Sequence, residues 1–150
     1  MRTLVLLLSL ILVSFQGPKK IKVARIYFAQ NSSKFLEVNP TDKKTKATTV
    51  FNEFAKRVKS EDGGIKLLVC SNFDEDDARK LVEDRLMAVK DALMNAGVVQ
   101  SVIGWQYPSV KVDIYAVSKK IIEAEKSDIK KDSLKALNRF VEIRYLMRAK

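Results

Sequence analysis

Histidine is absent from the 150 residues, so no imidazole can serve as a general base, as the partner of a nucleophile or as a metal ligand. The single cysteine, Cys70, excludes an internal disulfide and a Cys/His metal site. It ends an apolar run at 65–70 and reads as a small apolar strand residue rather than a reactive thiol. Gly63-Gly64 has no phosphate-loop context. What remains is charged: the run Asp74-Glu75-Asp76-Asp77, and Arg85 a few residues later. Adjacent acids most simply complement the N-terminus of a helix through its dipole, and a carboxylate-pair hydrolase is the weaker reading. Arg85 offers a planar fork that matches a carboxylate. It is placed at the edge of an apolar stripe, where its stem packs and its head reaches the preceding loop. No catalytic residue, metal or cofactor is expected, and the chain is not expected to be an enzyme.

The elements that must position Arg85 are legible from periodicity. Residues 21–28 alternate apolar and polar as a half-buried strand, and 31–44 form a loop. Helical spacing of Val50, Phe51, Phe54, Ala55 and Val58 predicts a helix over 45–60, ended by Glu61-Asp62-Gly63-Gly64. A strand at 65–70 follows. Ala78, Leu81, Val82, Arg85, Leu86, Val89 and Leu93 then hold one helical stripe, which stops at Asn95-Ala96-Gly97. Strands are expected at 98–105, at 110–116 and over 140–145. Residues 117–132, with Ile121 and Ile122 as the main apolar pair, read as an exposed helix or a loop. This order predicts an α/β sandwich, βαβαβ(β), with the helices on one face of a mixed sheet.

The first segment reads as an export signal. Met1-Arg2 is a short positive start, 4–15 is apolar, and that run is too short to span a bilayer comfortably. An uncleaved anchor is the alternative. The mature chain is expected to begin between Ser14 and Lys19, giving a signal over 1–17, a single domain over 18–150 and no membrane span after cleavage. The net charge of +10 favours anionic partners of the cell envelope. The scattered Lys pairs lack the interleaved aromatics that stack bases, so nucleic acid is not expected.

Several motifs then stand in order: Phe28-Ala29-Gln30-Asn31-Ser32, the helix set Leu81/Arg85/Val89/Leu93, Gly97-Val98, Ile103-Gly104, Pro108, and Asn138-Arg139-Phe140-Val141-Glu142-Ile143. The chain resembles the OmpA-like periplasmic domain, over about residues 21–148, with 106–137 atypical. The resemblance implies a non-enzymatic module of the periplasm and outer-membrane envelope that grips the peptide stem of peptidoglycan. It implies a site in which a carboxylate takes the ammonium of a zwitterionic diaminopimelate end and the helix arginine takes its carboxylate. Arg85 matches that arginine. The family's Asp is not matched: ungapped counting puts Cys70 there, and a two-residue deletion puts Asn72 there. The candidate ligand-binding set is therefore Arg85, Asn72, Asp74 and Ser71, arranged at the mouth of a shallow pocket. In the competing reading Arg85 pairs with Asp74 or Asp76 across the helix start. Two functions follow: a module that associates with peptidoglycan or anchors an envelope complex to the wall, or a degenerate one that serves as a structural subunit of an envelope protein complex.

Overall fold

The computed structural model describes residues 23–70, 78–106 and 116–147. The expected signal at 1–17, the acidic run 74–77, the strand expected at 110–116 (all but its last residue) and three candidate site residues, Ser71, Asn72 and Asp74, lie outside them.

Among the described residues four strands and four α-helices follow in order: β1 (Val23–Tyr27), α1 (Ala47–Glu61), β2 (Gly63–Cys70), α2 (Ala78–Asn95), β3 (Ile103–Gln106), α3 (Lys119–Ala124), α4 (Asp128–Ala136) and β4 (Phe140–Met147). The sheet order is β1-β4-β2-β3. β4 runs antiparallel to both neighbours, pairing Ile26 with Val141 on one side and Val69 with Val141 on the other. β2 and β3 are parallel and joined through α2, as a parallel pair requires a long crossover. The closing strand at 140–145 is thus the second from the edge, and it ties the start of the chain to its middle.

Period-two alternation sorts each strand's residues between two faces. Ile26, Ile65, Leu67, Val69, Val141, Ile143 and Tyr145 meet Val50, Phe51, Phe54, Val82, Leu86, Val89 and Leu93 of α1 and α2 in one core. Phe54, Val89 and Leu93 are fully buried; each contributes roughly 1.5–3 kcal/mol by leaving water. On the other face Tyr27, Cys70 and Phe140 form a small second cluster. Cys70 is buried there, as a structural thiol.

Three boundaries differ from the expectation. Gly63-Gly64 is not a loop. Asp62 takes the left-handed cap position after α1, with φ of 49°, and Gly63 begins β2 because the Tyr145 ring lies where its Cβ would be. Residues 98–102 are not strand: Gly97 (φ 103°) ends α2, Val98 donates to the Leu93 carbonyl at 3.0 Å, and a 3₁₀ turn covers Gln100–Val102. Residues 117–132 resolve into α3 and the start of α4, whose N-caps Ser118 and Ser127 accept from Ile121 and Lys130. Of the pair expected to anchor this segment, Ile122 is buried and Ile121 is exposed.

Candidate functional site

Arg85 is the residue around which the carboxyl end of β1 is organised. Beyond β1 the chain turns at Asn31, which adopts φ of 51°. Ser32 N–H donates to the Ala29 carbonyl at 3.3 Å, and Leu36 N–H returns to the Tyr27 carbonyl at 2.8 Å. This turn aims two carbonyl oxygens inward. Arg85 Nε donates to the Ser32 carbonyl at 2.9 Å and Nη2 to the Ala29 carbonyl at 3.0 Å. The guanidinium carbon stands 5.1 Å from the centre of the Phe28 ring, within cation–π range. Phe35, after the turn, packs edge-on against Phe51 at 5.4 Å and fixes the loop to α1.

Arg85 is therefore not at the mouth of a pocket. It is fully buried, at 0% exposure. The reason is its position in the stripe: Leu81, Arg85, Val89 and Leu93 follow one another at intervals of four, so the arginine occupies the centre of the buried face. Its Nε/Nη2 edge, one of the two edges that can take a carboxylate bidentately, is engaged by backbone oxygens. Of the two places considered for the missing Asp, Cys70 is inside β2 and belongs to the cluster on the face away from α2. That leaves Asn72, with Ser71 and Asp74, as the positions proposed to complete a site with Arg85.

A second polar constellation escaped the sequence reading. Glu142 is almost fully buried, with its carboxylate shared between Arg25 Nε at 2.9 Å and Arg144 Nε at 2.6 Å. Arg25 also stacks over the Phe140 ring, 4.3 Å from its centre. Phe140 itself faces Tyr27 and Cys70 and is fully buried. The signal was present, since alternation puts Glu142 and Arg144 on the same face of one strand. Asn138 is buried too, and its side chain exchanges hydrogen bonds with the Val117 backbone at 2.9 and 2.7 Å.

Among the described residues two groups titrate away from their ordinary values. Burial, with the Glu61 carboxylate nearby, raises Tyr145, whose hydroxyl makes no hydrogen bond of acceptable geometry. The Thr45 hydroxyl, with the N–H groups of Lys44 and Thr45, lowers Asp42.

No family model matches the sequence, and no curated protein is recognisably similar to it in sequence. Solved structures do match. The OmpA-like domain of FopA1 from Francisella tularensis aligns with a TM-score of 0.56 at 16% identity, over 85% of this chain and 73% of that one. The peptidoglycan-associated lipoprotein of Burkholderia pseudomallei aligns at 0.57 and 16%, over 81% and 88%. The chain has the OmpA-like fold. The periplasmic domain of Helicobacter pylori MotB aligns at 0.53 and 13%, over 89% of this chain and 80% of that one. Arg85, the residue matched by motif to that family's helix arginine, is wrapped by the 29–32 turn. Among the described residues no helix is long and apolar enough to cross a membrane, and no cluster of three His, Cys, Asp or Glu side chains could hold a metal.

Proposed function

We propose that the chain is a non-enzymatic OmpA-like module of the periplasm that associates with peptidoglycan or anchors an envelope complex to the wall. One observation carries this reading: Arg85, which matches the family's helix arginine by motif, is buried at the carboxyl end of β1 with the 29–32 turn bonded around it. Support comes from the fold it shares with a protein named for its association with peptidoglycan. The apolar N-terminal run and the net charge of +10 fit export and an anionic wall. Absence of histidine removes imidazole-based hydrolytic mechanisms.

A second reading rests on the same arginine. Complete burial and the engaged Nε/Nη2 edge favour a module that kept the fold as an interaction subunit and lost its stem-peptide ligand. The separating experiment is co-sedimentation with purified sacculi, paired with calorimetry against a diaminopimelate-containing stem peptide. Wild type is expected to bind, and Asn72→Asp to bind about tenfold or more tightly, because a carboxylate restores the charge-assisted half of the clamp. Arg85→Ala is expected to lose binding, with circular dichroism checking that it folds. If neither wild type nor Asn72→Asp binds, the subunit reading holds.

A further inference from the structure

β1 is an end strand, and its outer edge has no strand neighbour among the described residues. The backbone groups it presents follow from its ladder with β4. Phe28 N–H donates to the Arg139 carbonyl at 2.8 Å, so Phe28, Ile26 and Ala24 turn their backbone groups toward β4. In an antiparallel pair the alternate residues, Tyr27, Arg25 and Val23, turn theirs outward. The outward direction is visible at Tyr27, whose carbonyl accepts Leu36 N–H at 2.8 Å. Before that point the loop does not pair with the strand. Val23 and Arg25 instead border a groove of about 430 Å³, walled by Val50 and Glu53 of α1 and by Asn39 and Thr45. That wall is held in shape: Asp42 accepts the Thr45 hydroxyl and the N–H groups of Lys44 and Thr45, both at 2.9 Å.

Charge selects the occupant. On the face away from α1, Arg25 stands on this edge and Arg144 on the neighbouring strand β4, with Lys66 one strand further in and directly opposite Arg144 in the ladder. Like charges in that relation destabilise a sheet. Among the described residues Glu142 is the carboxylate on this face beside them, and it already bridges Arg25 and Arg144. A second copy of β1 laid antiparallel here, centred on Arg25, would set one Arg25 against the other. An acidic strand would relieve the excess. On the groove's other side Glu53 and Val50 disfavour acid and accept an apolar group.

We infer that the outer edge of β1 and its groove dock an extended peptide segment of a partner protein, alternating acidic and apolar residues, by strand addition. Its main chain pairs with Val23 and Arg25, its acidic side chains face Arg25 and Arg144, and its apolar side chains face Val50. This surface is separate from the Arg85 site, so it stands whether or not the chain binds the wall.

The test is fluorescence anisotropy of the full chain with a labelled peptide of alternating Val and Glu. Saturable binding is expected, falling with added salt and lost when alternate peptide amides are N-methylated. Val23→Pro is expected to weaken it about tenfold or more, since the lost N–H points away from β4 and a first strand position tolerates proline. Circular dichroism should show that this variant folds. Arg25→Gln should also weaken binding, and a peptide with Lys in place of Glu should not bind. Equal binding by wild type and Val23→Pro, equal binding of the Lys peptide, or no saturable binding overturns the inference. So does self-association in sedimentation that Val23→Pro abolishes, which would assign the edge to a second copy.

Discussion

The two faces of this sheet come from the same strands, one residue out of step, and they are built by different rules. The face under α1 and α2 is filled by Ile26, Leu67, Val69, Val141, Ile143 and Tyr145 against two apolar helix stripes. The other face carries Arg25, Lys66, Glu142 and Arg144 beside a cluster of three residues, Tyr27, Cys70 and Phe140. The first face needs shape, since close packing makes each methylene count. The second needs charge balance, and a cation excess is left over. Apolar packing is therefore concentrated on one face and charge on the other, with Arg85 an exception: a charge placed in the packed face, its Nε and Nη2 bonded to backbone carbonyls.

The sharpest way to break the packed face is Gly63→Ala. The new methyl would fall inside the Tyr145 ring, which is itself held by α1, with the Arg57 guanidinium 4.2 Å from its centre. A loss of about 3 kcal/mol is expected in urea unfolding, partly recovered when Tyr145→Leu is added. On the charged face the expected effect is smaller. Glu142→Gln should cost about 1–2 kcal/mol, because Arg25 and Arg144 remain 34% and 42% exposed and water screens what the carboxylate no longer neutralises. Raised salt should narrow that difference, whereas it should leave Gly63→Ala unchanged.

The smallest effect is expected from Tyr145→Phe. Removing a buried hydroxyl with no hydrogen bond should leave stability at neutral pH unchanged or raise it by up to about 1 kcal/mol. The pH dependence distinguishes it. A raised phenol pKa means that stability is complete below the unfolded value, about 10, and falls as pH climbs from there toward the folded value. The phenylalanine variant should lack that share of the alkaline loss, read as a difference between two thermal-melting series.

Much of the packed face was legible because its signals are local. Alternation located β1, β2 and β4, and four-residue spacing located α1 and α2, since the same periodicity that marks an element also buries it. Boundaries failed where a partner distant in sequence decides them: Gly63 is strand because of Tyr145, and 98–102 is a turn because Val98 folds back on Leu93. Arg85 was found by its motif, yet its depth was misjudged. Its charge suggested the edge of the stripe, while its spacing from Leu81 and Val89 put it in the middle. The Arg25–Glu142–Arg144 group was missed because it joins positions 117 residues apart, and only the strand pairing brings them together.

Asn138 lends its amide to Val117 in the way one strand lends its backbone to another, and the chain between them, 21 residues apart in sequence, is closed at its base. The consequence concerns what evolution or an engineer can rewrite. A segment sewn shut at its neck can take a flexible insertion between its helices without disturbing the sheet, since doubling a flexible loop costs only about 0.6 kcal/mol in closure entropy. The α3–α4 segment is then where a new domain, tag or recognition element can be set in, so long as Asn138 keeps the stitch.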